Sequence, residues 1–497
     1  MENGMKVVKP LDNEKKETES RQEEQNGYIR MKKFKFVMLL FLVVFLTAGI
    51  TTAAFALGDK KAVNVTTESR PEFNKLYKAY DSIKSKYYTK VKSKTLIDGA
   101  INGMVEALND PYSDYMTKDE ASEFHDTISS SFEGIGAEVE EKDGYIVIVS
   151  PIKGSPAEKA GLKPNDKILA VNGKSVHGMS ANEAVMLIRG KKGSKVTLTI
   201  QRAGSKDESK VTITRDTIPV NTVYPKMLKN GVAHIQITTF SDGTYKEFTS
   251  AINKMKKQGM KSLIIDVRQN PGGLLDQAIK ISNLFVPEGK TILQTEDRNG
   301  TRQKYVAEDG TKITVPTVVL IDGGSASASE ILASALHESA GIPLVGEKSF
   351  GKGTVQTATD FSDGSNLKFT VQKWLTPNGN WIHKKGIQPD YKVALPDYAN
   401  LPVISSDTEM KLYSVSNDVK TVEKMLKTLG YHPGRVDGYF DENTKAAVVA
   451  FQTDEHLKQT GVIKGETTTK LMSKISDLIT KNDTQLKKAE DVLKNEK

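Results

Sequence analysis

The chain has no cysteine among its 497 residues. That absence excludes disulfides, thiolate nucleophiles, Cys-ligated zinc and iron–sulfur clusters together. It also lets the chain fold on either side of a membrane without redox help. The seven histidines (His125, His177, His234, His337, His383, His432, His456) lack any HExxH-like spacing. No metal site is therefore expected, and no cofactor. A basic stripe interleaved with aromatics is missing as well. The net charge of +8 is spread among mixed lysines and acids, which argues against a nucleic-acid partner. With 38% apolar and 27% charged residues the bulk is ordinary globular material, long enough for about three or four domains.

One long apolar run is present. Residues 36–57 read FVMLLFLVVFLTAGITTAAFAL without a charge, enough to span ~30 Å of hydrocarbon as a helix. Arg30, Lys32, Lys33 and Lys35 crowd its N-terminal flank. The positive-inside rule then makes 1–35 a cytoplasmic tail and 36–57 a transmembrane helix or signal anchor. Everything after it would work on the extracytoplasmic side of the cell membrane. Ala54-Phe55-Ala56 also fits a signal-peptide cleavage site, which would release the protein. The long tail of mixed charge before the run favours the uncleaved anchor.

The remainder predicts a multidomain α/β protein. Residues 71–128 carry helical spacing in Phe73, Leu76, Tyr77, Tyr80 and Ile83, then in Leu96, Ile101, Met104 and Val105. Over 131–203, FEGIGAEVE and GYIVIVSP read as strands split by a turn at Lys142-Asp143-Gly144. SANEAVMLIRG there reads as a helix stopped by Gly190. Over 213–397 buried strands (VAHIQITTF, SLIIDVR, TVVLIDG, PLVGE) alternate with helices, the pattern of a mostly buried sheet. A linker at 398–412 precedes three amphipathic helices over 413–475. The stretch 476–497 reads as a charged helical or frayed tail.

The segment DGGSASASE, Asp322 to Glu330, holds three serines at a strand-to-helix turn. Backbone N–H groups and the helix dipole there favour a developing oxyanion. Ser327-x-x-Glu330 is equally a helix capping box, and these residues alone do not choose among Ser325, Ser327 and Ser329. Downstream, EKSFGKGTVQ sets Lys352 between two glycines. On a strand 352, 354 and 356 share a face, so Gln356 can hold the Lys352 ammonium. A lysine serves as general base only when neutral. Bringing its ordinary pKa of ~10.4 near neutrality costs on the order of 4 kcal/mol, which burial can supply. His337, ten residues past Ser327 on the same helix, recedes by ~15 Å and makes a poor alternative.

Two stretches carry a family resemblance. GSPAEKAGLKPNDKILAVNG resembles a PDZ domain, and FEGIGAE its carboxylate-binding loop. The resemblance implies that Gly134, Ile135 and Gly136 offer N–H groups to a protein C-terminus while the peptide adds as a strand. VLIDGGSASASEILASALHE followed by GIPLVGEKSFGKGTVQ strongly resembles the carboxyl-terminal processing, or tail-specific, proteases of family S41. That likeness runs from about Phe73 to Asp397. It implies a serine endopeptidase with a crotonase/ClpP-like core, in which Ser327 is the nucleophile, Lys352 the base and Gln356 its positioner. DVRQNPGGLLDQA matches the family's D-x-R-x-N-P-G-G stretch, implying an oxyanion hole from Gly272 or Gly273 with Ala328. Arg189, closing the PDZ helix, is placed to relay peptide occupancy to the core. Asp437, Gly438, Phe440, Thr444, Ala447, Val448, Phe451 and Gln452 resemble the peptidoglycan-binding domain of wall hydrolases, which implies the cell wall as a partner. Family resemblance also implies a homodimer through the helical N-terminal segment. The rival reading is a catalytically silent PDZ scaffold that tethers protein tails to the wall. The presence of both Ser327 and Lys352 counts against it.

Overall fold

The computed structural model describes residues 70–202 and 207–495, which form two compact units divided after Val91. The apolar run at 36–57 lies outside the described residues. Among these, no helix is long and apolar enough to cross a membrane. In the first unit the helix Asn74–Lys86 follows a 3-10 turn and leaves Leu76, Tyr77 and Ile83 exposed.

In the second unit a six-stranded sheet forms the centre. Its order is Val223–Met227, Val232–Ile237, Ser262–Asp266, Thr317–Ile321, Leu344–Gly346 and Tyr391–Lys392, antiparallel at the first pairing and parallel beyond it. SLIID and TVVLI are buried at every position, so both faces must be covered. Leu263, Ile265, Val319 and Ile321 point to one side and pack with Phe248, Ile252, Ala278, Ile281, Ile331 and Leu332. Those residues belong to helices Thr244–Lys257, Leu275–Ser282 and Ala328–Ala340.

The alternate residues Ile264, Val318, Leu320 and Val345 point the other way and meet Ala489, Val492 and Leu493. The stretch read as a charged tail is thus divided. Residues 476–481 end the helix Glu466–Lys481, and a further helix, Thr484–Asn495, covers the second face of the sheet. Its apolar stripe, Leu486, Ala489, Val492 and Leu493, follows helical spacing but is diluted by lysines and acids.

The PDZ-like sheet runs Ala137–Lys142, Tyr145–Pro151, Lys167–Val171, Lys195–Gln201 and Glu208–Thr214, around a core that includes Ile146, Ile168 and Leu198. It extends past the boundary expected at 203, because Glu208–Thr214 pairs along the whole of Lys195–Gln201 and Ile213 belongs to this core. The chain enters and leaves through one antiparallel ribbon, Ser131–Gly134 with Asp216–Pro219. In the C-terminal domain, helices Asn417–Thr428, Glu442–Asp454 and Glu466–Lys481 enclose Val422, Val448, Phe451 and Leu471. Ile404 and Met410, from the expected linker, are buried in the same core.

Candidate active site

At the end of the strand Thr317–Ile321 the chain turns through Asp322–Ala326 into the helix Ala328–Ala340. The three serines of this turn differ in their hydroxyl partners. Ser325 Oγ donates to Val267 O at 2.8 Å and accepts from Asp322 N–H at 3.0 Å. Ser329 Oγ donates to Asn270 O at 2.9 Å. Both side chains are fully buried. Ser327 Oγ meets the Glu330 N–H in a capping box but donates its own proton to no acceptor among the described residues, and the residue lines a pocket of about 710 Å³. Its backbone sits at φ 52°, ψ −113°, a conformation an L-residue adopts only under constraint.

The constraint comes from Glu330. Its carboxylate accepts from Ser327 N–H at 2.9 Å, Gly351 N–H at 2.7 Å, Lys352 N–H at 2.8 Å and the Ser349 hydroxyl. Burial pushes this carboxyl above its ordinary range, and the four donors pull against that rise. One acid thus ties the serine turn to the glycine-flanked lysine loop. The sequence offered Glu330 only as a cap.

Across the pocket, the candidate oxyanion glycines divide. Gly272 donates its N–H to Asn270 Oδ1 at 2.9 Å, which leaves it unavailable to a substrate. The N–H groups of Gly273 and Ala328 have no partner among the described residues, and both residues line the pocket. Gly272 matters for its lack of a side chain. At φ 105° a Cβ there would lie 2.9 Å from Ser327 Cβ and 2.8 Å from Ala326 O. At Gly273, φ 134°, a Cβ would fall 2.1 Å from Phe240 O. No side chain fits at either position.

Lys352 reaches the same pocket. Burial, joined by the charge of Lys368, lowers its pKa, while Asp110 and Glu330 oppose the fall. Its Nζ lies 4.9 Å from the Tyr112 ring centroid and has no hydrogen-bond partner among the described residues. The expected contact with Gln356 is not made. Lys352 precedes the strand Thr354–Asp360, whose register shifts between Val355 and Gln356. The Gln356 amide turns to Thr354 Oγ1 at 3.0 Å and Thr370 Oγ1 at 2.9 Å instead. His337 hydrogen-bonds Ile342 O at 3.3 Å and does not line the pocket.

Sequence reasoning missed Tyr112, Phe124, Ile128 and Lys368, all on the pocket wall. The first three come from the segment read only as helical. The turn cluster NDPYSD was the available signal.

In the PDZ-like domain Gly134, Ile135 and Gly136 are all buried. The N–H groups of Ile135 and Gly136 have no partner among the described residues. Gly136, at φ 73°, brings the loop against Ser155 and Ile218, where a Cβ would meet Ser155 Cβ at 2.5 Å. The next strand, Ala137–Lys142, is an edge strand, open to a further chain. Arg189 pairs with Asp126 at 2.7 Å and lies over the Phe132 ring at 4.9 Å.

An α/β core presenting a serine at a constrained strand-to-helix turn, in one pocket with a half-buried lysine, marks a serine peptidase. The description Peptidase family S41 matches residues 231–393 and a PDZ domain matches 147–202. The activating protease CtpB N-terminal domain matches 49–120, and a peptidoglycan binding domain 415–471. Carboxy-terminal processing protease CtpA of Bacillus subtilis (strain 168) is 53% identical, over 94% of this chain and 99% of that protein. CtpB of the same organism is 46% identical over 89% and 94%. A solved photosystem II D1 C-terminal processing protease is 30% identical, with TM-score 0.39, over 65% of this chain and 87% of that one. The chain belongs to peptidase family S41 and is a carboxy-terminal processing serine protease.

Proposed function

We propose that this protease uses a Ser327–Lys352 pair to cleave proteins at or near their C-terminal tails, outside the cytoplasm and anchored by residues 36–57. The carrying observation is that Ser327 alone of the three turn serines donates its hydroxyl to no acceptor among the described residues, in one pocket with a half-buried lysine of lowered pKa. Neutral Lys352 takes the Ser327 proton as Oγ attacks the scissile carbonyl. The oxyanion rests on the N–H groups of Gly273 and Ala328. Lys352 then protonates the leaving amine, and water hydrolyses the acyl-enzyme with Lys352 again as base. Gln356 enters by offering its Oε1 to the lysine while its NH2 stays on Thr370.

The PDZ-like loop captures the substrate carboxylate on Ile135 and Gly136. Occupancy is relayed through Arg189 and Asp126, because Phe124 and Ile128 of the Asp126 helix line the active-site pocket. The C-terminal domain holds the wall, and the exposed Leu76, Tyr77 and Ile83 favour a homodimer.

The test is cleavage of an unfolded, apolar-tailed protein. Ser327→Ala and Lys352→Ala should each lose roughly 10³-fold or more in kcat/KM while remaining folded. Arg189→Ala should cut at the basal rate but lose activation by added tail peptide, and unchanged activation would remove the relay. If Ser327→Ala cuts as well as the parent, the nucleophile is wrong. If the parent is inert even with tail peptide, the scaffold reading takes over. Placement is checked separately. Deleting 36–57 should move the chain from the membrane pellet to the soluble fraction, insoluble wall should retain it, and light scattering should give a dimer mass.

A further inference from the structure

The loop Asp110–Ser113, whose Tyr112 stands 240 residues before Lys352 in sequence, contributes Pro111 and Tyr112 to the wall of its pocket. Asp110 accepts from Ser113 Oγ at 2.6 Å, from Tyr112 N–H at 3.2 Å and from Thr370 Oγ1 at 2.6 Å. Ionised, that carboxylate only accepts, so the single Thr370 hydroxyl proton is committed to it. Thr370 Oγ1 can then only accept from Gln356, which must present its NH2 side. The polarity of the Gln356 amide is therefore dictated by Asp110. Its Oε1, without a partner among the described residues, is left as an acceptor. A lysine N–H is the kind of donor that acceptor suits.

The same loop meets Lys352 directly, through the Tyr112 ring face 4.9 Å from Nζ, with the His383 ring packed against Tyr112 at 6.2 Å. A ring face attracts an ammonium and not an amine. The other groups facing Lys352 are Lys368 from the strand Asn366–Leu375, Glu330 from the helix Ala328–Ala340, and Asp110 itself. His383 stands beside them, near Asp110.

We propose that Asp110, Thr370 and Tyr112 are positioning residues for the base: Asp110 orients Gln356 through Thr370 to receive Lys352, and Tyr112 parks the ammonium until it does. This rests on the Ser327–Lys352 reading. The loop thereby brings residues 110–113 into the catalytic machinery.

The experiment is the pH profile of kcat/KM for the intact chain, whose acid limb reports the base of the free enzyme. Tyr112→Leu keeps apolar bulk but removes the ring face, which destabilises the ammonium and lowers the lysine pKa. Its acid limb should move to lower pH by roughly half to one pH unit. Tyr112→Phe should keep the parent limb. Thr370→Val breaks the relay with the carboxylate retained. It should lower the plateau of kcat/KM about 10- to 100-fold, mostly in kcat, with the thermal midpoint little changed. Asp110→Asn should lower the plateau likewise and also move the limb to lower pH, since a negative charge near Lys352 is gone.

The proposal is overturned if Thr370→Val keeps the parent plateau, or if Tyr112→Leu keeps the parent limb. Should Asp110→Asn fail to fold, those two variants decide alone. Ser327→Ala, run alongside, separates the two levels. If it still cuts, the Ser–Lys reading has failed. If it is inert while the loop variants match the parent, only the present inference has failed.

Discussion

Glu330→Ala should cost both the fold and the activity, beyond what loss of a helix cap would bring. The alanine leaves the Ser327, Gly351 and Lys352 N–H groups and the Ser349 hydroxyl without their acceptor in a fully buried site. Unpaired buried donors on that scale lower stability by about 3–5 kcal/mol. The activity loss has a separate origin. Ser327 holds φ 52° while its N–H is bound by this carboxylate, and the lysine loop is tied to the same atoms. Released, the serine relaxes toward an ordinary helix entry and the two loops part, so cleavage should fall by more than about 10²-fold. Glu330→Gln is the sharper comparison. It is nearly isosteric, but its NH2 group would face two donors where an acceptor is needed. It too should lose activity, with a smaller fall in thermal midpoint. A glutamine variant with parental activity and midpoint would reduce Glu330 to a cap.

Ending the chain after Asn482 should destabilise the protease core, although the removed residues lie outside every catalytic motif. The helix Thr484–Asn495 covers Ile264, Val318, Leu320 and Val345, each wholly buried. Burial of Ala489, Val492 and Leu493 together with the sheet face is worth about 5 kcal/mol or more. The truncation also removes Asp483 and Gln485, which accept from Arg268 at 2.8–3.0 Å and 2.9 Å. Arg268 would keep Asp266, its buried partner at 2.7 Å. Burial alone would push the Asp266 carboxyl up, but hydrogen bonds from His234 and Arg268 outweigh that and hold it well below the usual carboxylate range. The expected result is a protein that aggregates or melts at least ~10 °C lower. Leu493→Asp should do the same in the uncut chain. An unchanged midpoint in both would make the helix an accessory.

Much of the architecture was legible because its signals are local. SLIID and TVVLI announce buried strands, and the PDZ-like and peptidoglycan-binding-like stretches carry turn and helix patterns within about seventy residues. The serine was not legible from local pattern, since Ser325, Ser327 and Ser329 stand in equivalent company. What separates them is where each hydroxyl finds a partner, and for Ser325 and Ser329 those partners, Val267 and Asn270, lie on another strand-end loop. Glu330 read as a cap because its near partner is three residues away, while its decisive partners are in the loop 349–352. Asp110 and Tyr112 were invisible for the same reason at greater distance. The contact expected between Lys352 and Gln356 failed on a single irregular residue, the register shift at Val355/Gln356, which alternation cannot anticipate.

The last helix also changes what kind of appendage the C-terminal three-helix domain is. A domain joined at one end hangs like a bead on a thread, and tension on it passes along that thread alone. Here the chain leaves the protease after the edge strand Tyr391–Lys392 and returns to it as Thr484–Asn495, so the three-helix domain is a closed loop with both roots in the enzyme. A load applied to it is shared between two attachments. One of these is seated on the back of the strands that lead to Ser327 and to the glycine pair at 272–273, so a pull on the three-helix domain would arrive mechanically at the catalytic sheet.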